Sequence, residues 1–268
     1  MTRKRLGVLG WPVAHSRSPQ MHAAAFAALG LAGWRYQRLP VPPELFAETV
    51  RALPGAGFAG ANVTVPHKEA ALALADEATP AARAIGAANT LTFREDGPIA
   101  ADNTDAPGLL AALPVAIAGG TALVLGAGGS ARAAVYALRE AAAREVAVFN
   151  RTRERAEALA AALGARVAAA PEPADLLVNC TSVGLDDPDA LPVDPRDLDR
   201  VGAVVDLVYR PGGTALVRAA RARGLPCADG LEVLVQQGAR SFAIWTGIDP
   251  PVDVMRAAAA REEDQPRL

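Results

Sequence analysis

A glycine-rich turn between an apolar strand and an alanine-rich helix constrains the fold of this chain more than any other feature. Residues 121–135 read TALVLGAGGSARAAV, and a second apolar strand, Glu145–Phe149, follows the helix. Gly126, Gly128 and Ala131 fit the pattern G-x-G-x-x-G/A, which combines a tight turn, close approach of a pyrophosphate to the backbone and close packing of helix on strand. Glycine turns can also serve only as connections. The order strand, turn, helix, strand nevertheless predicts a dinucleotide site at the N-terminus of the helix that begins near Ser130.

The residues after the second strand indicate which dinucleotide is bound. Enzymes that bind NAD place an Asp or Glu near this point, against the ribose 2′-hydroxyl. Asn150 lies 24 positions beyond Gly126, and the chain continues as RTRER over residues 151–155. Three guanidinium groups suit a 2′-phosphate, and the first turn of a helix disfavours positive side chains unless an anion is present. The segment predicts NADP. The alternative is that Thr152 caps a helix Arg153–Leu163 with a solvated first turn.

Composition and charge limit the classes of protein to which the chain can belong. Its 268 residues, 51% of them hydrophobic, are enough for two domains with a core each. The net charge of −2 argues against nucleic acid or an anionic membrane as a partner. The two cysteines are too few for a disulfide framework, and the three histidines are scattered. We therefore expect a cytoplasmic protein without a metal site.

Two serines follow the first predicted strand. This strand, Leu6–Gly10, leads into a loop that carries Ser16 and Ser18. Ser18 is followed by Pro19 and fits the N-cap of the next helix, which is the structural alternative to a role in binding. Ser16 has no such explanation. Two hydroxyl groups on a loop between strand and helix suit a polyhydroxylated or carboxylated small molecule.

A second group of polar residues lies at the end of a strand that begins near Gly60. Alternation along the strand puts Asn62 and Thr64 on one face, and Lys68 follows shortly after. In parallel α/β sheets ligands bind beyond the carboxyl ends of the strands, so these three side chains are expected to converge on a substrate. The alternative for Lys68 is an ordinary solvated lysine.

Two short strands then carry further polar side chains. Residues 86–91 read GAANTL and residues 99–105 read IAADNTD, which predicts a hairpin-like pair. Asp105 can cap the following helix, and Asn103 can shape the turn. The density of polar side chains in strands this short also favours a binding site.

Several motifs, in order over nearly the whole chain, resemble the shikimate dehydrogenase family. They are SRSP at 16–19, NVTVPHK at 62–68, IGAANT at 85–90, DNTD at 102–105, GAGGSA at 126–131, NRT at 150–152 and QQGA at 236–239. The resemblance implies a two-domain α/β fold. An N-terminal α/β substrate domain would span residues 1–104 with 238–268, and a Rossmann-like NADP-binding domain would span residues 105–237, with C-terminal helices returning to the first domain. The implied reaction is the NADP-dependent reversible reduction of 3-dehydroshikimate to shikimate, in the pathway to chorismate and aromatic amino acids.

Carried over residue by residue, the resemblance implies three groups of site residues. Lys68 would be the acid/base of the hydride transfer, and Asp105 would orient it. The substrate would contact Ser16, Ser18, Asn62, Thr64, Lys68, Asn89, Asp105, Tyr209 and Gln237. NADP would contact Gly126, Ala127, Gly128, Gly129, Ser130, Ala131, Asn150, Arg151, Thr152, Arg155, Thr181, Val183, Val208, Gly230 and Val233. With these small-molecule ligands we expect a monomer or a homodimer.

Departures from the family pattern leave the fine choice of substrate open. His67 stands where Phe is expected, and Val233 stands where Met is usual. A quinate or aminoshikimate dehydrogenase is the alternative among enzymes, although such relatives tend to carry Thr at the position of Ser18. Outside enzymes, the alternative is a catalytically silent NADP-binding sensor. That alternative predicts loss of Lys68 or Asp105, and both are present.

Three later segments carry structural predictions. The stretch Asp186–Arg200 is rich in Asp and Pro and predicts a mobile surface segment. Leu231–Trp245 predicts an apolar helix that carries Gln237 back to the first domain. From Arg261 onward the composition predicts a frayed tail.

Overall fold

Two six-stranded sheets, each flanked by helices, organise the chain into two lobes. The computed structural model describes residues 4–94 and 97–261. All but the first residue of the predicted tail lies outside this range. We call the part built on the first sheet the first lobe and the part built on the second sheet the second lobe. The predicted α/β fold with two lobes is confirmed. Within the described ranges, no helix has both the length and the apolar character needed to cross a bilayer.

The first sheet has a buried parallel centre. Strand β1 pairs in parallel with β2 and β3, and β5 runs antiparallel between β3 and β6. Residues 6–10 of β1 are all buried, which explains its nearly unbroken apolar sequence. The strands, in spatial order, are β2 (Trp34–Pro40), β1 (Lys4–Gly10), β3 (Phe58–Val63), β5 (Thr90–Phe93), β6 (Ile99–Asp102) and β4 (Glu77–Ala78). The helices of this part are α1 (Ser18–Ala28), α2 (Phe46–Ala52), α3 (Lys68–Leu74), α4 (Pro80–Ile85) and α5 (Asp105–Ala112).

The second sheet is parallel throughout, as expected for a Rossmann-like fold. In spatial order its strands are β12 (Cys227–Ala228), β11 (Val204–Asp206), β10 (Leu176–Asn179), β7 (Thr121–Leu125), β8 (Glu145–Phe149) and β9 (Arg166–Val167). Its helices are α6 (Gly129–Glu140), α7 (Arg153–Leu163) and α8 (Ala215–Ala222). The chain proceeds from β7 to β8 on one side and later enters β10 on the other side. The carboxyl ends of β7 and β10 therefore form a topological switch point, where ligands of such sheets bind.

The last two helices, α9 (Gly230–Thr246) and α10 (Val252–Ala260), return to the first lobe. Helix α9 packs on α5, and α10 packs on α1. Trp245 of α9 donates a hydrogen bond from Nε1 to the carbonyl of Leu91, at 3.0 Å. A Cβ at Gly60 would lie 2.3 Å from the same nitrogen, so this close approach requires glycine. The predicted return is present. The predicted boundary after residue 237 falls inside α9, and the division into domains stays a prediction.

The prediction of a surface segment over Asp186–Arg200 holds for its first half, where residues 186–189 are exposed. The second half of the stretch Asp186–Arg200 is anchored, because Val193 and Leu198 are buried in the core of the second lobe. Pro195–Arg200 forms a 3-10 helix, and Asp194 caps it by accepting a hydrogen bond from the N–H of Arg196. Because the stretch is rich in Asp and Pro, the sequence did not indicate that the apolar side chains of Val193 and Leu198 are buried.

Candidate active site

A cleft between the two lobes brings together the residues that the sequence predicted for substrate binding. Its empty space, with the open mouth included, is about 1050 Å³. All nine predicted substrate residues line it: Ser16, Ser18, Asn62, Thr64, Lys68, Asn89, Asp105, Tyr209 and Gln237. Five predicted cofactor residues, Ser130, Thr181, Val208, Gly230 and Val233, line it as well. The cleft thus joins the carboxyl end of β3 to the switch point of the second sheet.

The ammonium group of Lys68 lies within the cleft and is not an ordinary solvated charge. Its Nζ lies 2.7 Å from Oδ2 of Asp105 and 2.9 Å from Oγ of Ser130. The side chains of Lys68 and Asp105 are only 10% and 13% exposed. An ammonium group has three N–H donors, so two of them have acceptors among the described residues. One donor is left for an oxygen atom of a ligand.

Asp105 does not cap α5, so the structural alternative to a role in the site does not hold for this residue. The helix begins at Asp105 itself, and Thr104 occupies the N-cap position without a side-chain cap bond. Asn103 provides the local bond instead, because its Oδ1 accepts from the N–H of Ala106 at 3.2 Å. The carboxylate of Asp105 is therefore available to Lys68. Its charge remains in the first turn of the helix, where the helix dipole favours it.

Asn89 holds the second oxygen of Asp105. Its Nδ2 donates to Oδ1 of Asp105 at 2.9 Å and lies 3.1 Å from Oε1 of Gln237. Its Oδ1 accepts from the N–H of Thr104 at 2.7 Å, which fixes the orientation of the amide. Both carboxylate oxygens of Asp105 thus have donors, and Gln237 of α9 is linked to the same group.

Ser18 also occupies a different position from the predicted one. Helix α1 begins at Ser18, with Arg17 at the N-cap and no side-chain cap bond. The structural alternative, in which Ser18 caps this helix, therefore does not hold. Ser16 and Ser18 are 6% and 3% exposed, and the N–H of Ser18 lies 3.4 Å from Oγ of Ser16. Tyr209 crosses from the second lobe, and its hydroxyl accepts from the N–H of Arg17 at 3.2 Å.

Sequence reasoning missed two members of a buried polar network beneath the cleft. Tyr36 donates to Oδ1 of Asn62 at 2.8 Å, and Nδ2 of Asn62 donates to Oγ of Ser241 at 2.9 Å. Ser241 also lies 2.9 Å from Oγ1 of Thr90. Ser241 follows Gln237 by four residues on α9, so the helical period could have indicated it. Tyr36 had no such signal, because its contact depends on the pairing of β1 with both β2 and β3.

The glycine turn has the features that a pyrophosphate requires. Gly126 has φ of 104°, a conformation that favours glycine. A Cβ added at Gly128 would meet no atom within 4 Å, so this part of the turn faces open space. Helix α6 begins at Gly129 with no side-chain cap and no acidic residue in its first turn. Its first N–H groups and its positive dipole end are therefore available to an anion.

The turn after β8 has the features that a 2′-phosphate requires. Helix α7 begins at Arg153 as predicted, but Thr152 at its N-cap makes no side-chain cap bond. Arg153 pairs with Glu157 at 2.8 Å. Arg151 and Arg155 are exposed, and neither forms an ion pair with another described residue. Two guanidinium groups thus remain for an anionic ligand.

Comparison with known proteins decides the family. Family sequence models match this chain as "Shikimate dehydrogenase substrate binding domain" at residues 8–91, "Shikimate / quinate 5-dehydrogenase" at residues 110–181 and "Shikimate 5'-dehydrogenase C-terminal domain" at residues 230–260. A relative from Methylobacterium radiotolerans, named Shikimate dehydrogenase (NADP(+)), is 51% identical over 263 residues, which cover 92% of this chain and 93% of the relative. The chain belongs to the shikimate dehydrogenase family.

Further members of the shikimate dehydrogenase family agree with this assignment. A relative of the same name from Thermus thermophilus is 48% identical over 264 residues, covering 96% of this chain and 98% of the relative. A crystal structure of the Thermus thermophilus shikimate 5-dehydrogenase in complex with NADP(H) and shikimate matches with a TM-score of 0.88 at 47% identity. That match covers 97% of this chain and 98% of the other. The predicted family is confirmed.

In this member of the shikimate dehydrogenase family, a buried carboxylate that sequence reasoning missed joins the loops on the cofactor side. Oδ1 of Asp206 accepts from Nδ2 of Asn179 at 2.8 Å and from the N–H of Val208 at 3.0 Å. Its Oδ2 accepts from Oγ1 of Thr214 at 2.6 Å. Burial raises the pKa of Asp206 to about 6, against the effect of these hydrogen bonds. Oδ1 of Asn179 in turn accepts from the N–H and hydroxyl of Thr181.

The remaining predicted cofactor residues occupy three places. Ala127 lies in the glycine turn, and Ala131 is fully buried in the first turn of α6. Val183 donates its N–H to Oγ1 of Thr181 at 3.2 Å, so it belongs to the loop after β10. Asn150 closes the turn after β8 by donating from Nδ2 to the carbonyl of Thr152 at 2.8 Å.

Proposed function

We propose that the chain catalyses the reversible, NADP-dependent reduction of 3-dehydroshikimate to shikimate, with Lys68 as the acid/base and Asp105 as its partner. The chain is an NADP-dependent oxidoreductase of the shikimate dehydrogenase family, as the sequence predicted. One observation carries the assignment of the residues. The Lys68–Asp105 pair, with 2.7 Å between Nζ and Oδ2, lies in the cleft that contains all nine predicted substrate residues.

Lys68 handles the proton that accompanies the hydride. In the oxidising direction its neutral amine takes the proton of the secondary hydroxyl, and in the reducing direction its ammonium group donates to the ketone oxygen. When bound, NADP supplies the hydride acceptor, and NADPH the donor, at C4 of the nicotinamide. Asp105 keeps Nζ in place through Oδ2, while Asn89 holds Oδ1. The amine therefore meets the substrate in a fixed position.

The remaining polar residues orient the substrate. The hydroxyl groups of Ser16 and Ser18 suit a carboxylate, because hydroxyl donors hold it without a tight ion pair. Asn62, Thr64 and Gln237 present amide and hydroxyl groups that suit the ring hydroxyls. Tyr209 comes from the opposite lobe, which supports a role in enclosing the ring.

NADP would be held by the second lobe. The open backbone at Gly128 and the start of α6 suit the pyrophosphate, and Arg151 and Arg155 suit the 2′-phosphate. Thr181, Val208 and Val233 line the same cleft as Lys68. The predicted division into a substrate domain and an NADP domain accords with this placement.

The proposal is tested by replacing the acid/base. Lys68→Ala should lower kcat by roughly 10²–10⁴-fold, with a smaller change in KM for shikimate. Lys4→Ala is the matched control, because Lys4 is the other lysine of the sequence and lies over the ring of Trp34, in β1. It should behave as wild type. Turnover that survives in Lys68→Ala would refute the assignment of the acid/base.

Substrate choice is tested by comparing kcat/KM for shikimate and quinate, each with NADP and with NAD. The absorbance of the reduced nicotinamide reports all four reactions. We expect the highest value for shikimate with NADP.

The cysteine content favours a cytoplasmic enzyme, and a monomer or homodimer is expected from gel filtration with light scattering.

A further inference from the structure

Ser130, a residue of the glycine turn at 126–131, which we call the cofactor turn, contacts the acid/base Lys68 of the other lobe. Oγ of Ser130 accepts a hydrogen bond from Nζ of Lys68 at 2.9 Å, alongside the 2.7 Å contact to Asp105. Ser130 is the second residue of α6, at the helix end where the pyrophosphate is expected to bind. The hydroxyl of Ser130 is therefore close to both the reacting amine and the cofactor turn.

The backbone around Ser130 is held against the first lobe. A Cβ added at Gly129 would lie 2.7 Å from Cβ of Lys68, so the turn lies directly against the lysine side chain. One turn further along α6, Nε of Arg132 donates to the carbonyl of Ile85 at 2.5 Å. Ile85 ends α4 of the first lobe. Two contacts on either side of Ser130 thus fix its distance from Lys68.

We propose that Ser130 is a positioning residue for Lys68, which couples the cofactor turn to the acid/base. This inference rests on the proposed function of Lys68. Asp105 holds Nζ from the first lobe, and Ser130 holds it from the second. Two acceptors, one from each lobe, define the position of Nζ more closely than one acceptor does. The amine occupies this position in the arrangement of the two lobes that this structure shows. A cofactor that orders the start of α6 then also orders the amine.

The hydroxyl of Ser130 has two possible partners, the amine of Lys68 and a phosphate of the cofactor, and the two roles give different kinetics. If it serves Lys68, its removal lowers kcat and leaves the affinity for NADP nearly unchanged. If it serves only a phosphate of the cofactor, its removal raises the dissociation constant for NADP and leaves kcat at saturating NADP unchanged. Steady-state kinetics together with calorimetric titration of NADP distinguish these outcomes.

The decisive experiment is a double-mutant cycle. Ser130→Ala should lower kcat roughly tenfold, and Ser130→Thr, which keeps the hydroxyl, should restore most of it. Ser130→Gly, a second variant without the hydroxyl, should behave like Ser130→Ala. In the Lys68→Ala background, Ser130→Ala should cause no further loss, since a residue that acts through the lysine has nothing left to position.

The control and the contrary outcomes are well defined. Thr49→Ala removes a hydroxyl on α2, outside the cleft, that makes no hydrogen bond within the described chain, and it should leave kcat within about twofold. An unchanged kcat in Ser130→Ala, or a tenfold loss that recurs in the Lys68→Ala background, overturns the inference about Ser130. Full activity of Lys68→Ala alone would instead overturn the proposed function, so the two failures are distinguishable.

Discussion

Acid should destabilise this protein through one buried histidine. His22 is fully buried in the core of the first lobe, and its ring stacks on Tyr36 with 4.3 Å between ring centroids. Phe242 and Trp245 also pack around it. Desolvation lowers the pKa of His22 from its ordinary value of 6.5 to about 3. Between about pH 6.5 and pH 3 the folded protein therefore holds this imidazole neutral, whereas the unfolded chain protonates it.

The sign and size of the effect follow from proton linkage. Between pH 6.5 and pH 3 the unfolded chain binds one proton more than the folded protein at this site, so stability falls as the pH falls below about 6.5. The loss grows by about 1.4 kcal/mol for each pH unit, which gives roughly 2–3 kcal/mol at pH 4.5 relative to pH 8. It levels off below about pH 3, where the folded protein also binds the proton.

The test compares wild type with His22→Phe, which keeps an aromatic ring against Tyr36 but cannot be protonated. Urea unfolding at pH 8, 6.5, 5.5 and 4.5 gives the free energy of unfolding of each protein. The difference, wild type minus variant, should fall by roughly 2–3 kcal/mol from pH 8 to pH 4.5. Phe26→Leu is the control, since it disturbs the same core without a titrating group. A difference for His22→Phe that is as independent of pH as the one for Phe26→Leu would refute the reasoning.

Two further predictions follow from the second lobe. Asp206 has a pKa raised to about 6, above its ordinary 3.8. Between these two pH values the folded protein binds more protons at this carboxyl group than the unfolded chain does, so acid favours folding at this site. The stability of wild type minus Asp206→Asn should rise by roughly 2 kcal/mol from pH 8 to pH 4.5 in the same urea experiment, and a fall would contradict the sign. Arg151→Ala should raise KM for NADP roughly tenfold and leave KM for NAD unchanged, since a charge-assisted bond to the 2′-phosphate is lost. Arg153→Ala, whose side chain pairs with Glu157, is the matched control. Equal loss with both cofactors would exclude a contact to the 2′-phosphate.

Local signals in the sequence defined the elements around the cofactor turn. The strand Glu145–Phe149 and the helix Arg153–Leu163 have the predicted bounds. Apolar runs, glycine turns and prolines at helix starts act over a few residues, so they can be recognised in the sequence before the fold is known. The stretch before Arg200 shows the limit of such signals, because Leu198 is buried in a core that includes residues of β7, β8 and β10.

Contacts across sheets and lobes were not predictable from the same signals. The Tyr36–Asn62 bond depends on strand pairing, and the Ser241–Asn62 bond depends on how α9 returns to the first lobe. The contact between Lys68 and Ser130 depends on the placement of the two lobes. Sequence motifs named most of the residues that line the cleft. They did not indicate which of those residues touch one another.

The absence of the two alternative capping bonds, from Ser18 and Asp105, explains how this fold leaves its functional side chains available. Ser18 and Asp105 are both typical N-cap residues at helix starts, and each stands one residue inside its helix. At that position a side chain no longer needs to bond the first free N–H groups. Asn103 supplies such a bond for α5, and the Asp105 carboxylate is left to hold Lys68. When a helix begins one residue earlier than its motif indicates, a side chain typical of a cap becomes a member of the site. Helix-start motifs rich in Ser and Asp therefore predict where a helix begins better than they predict what the side chain does.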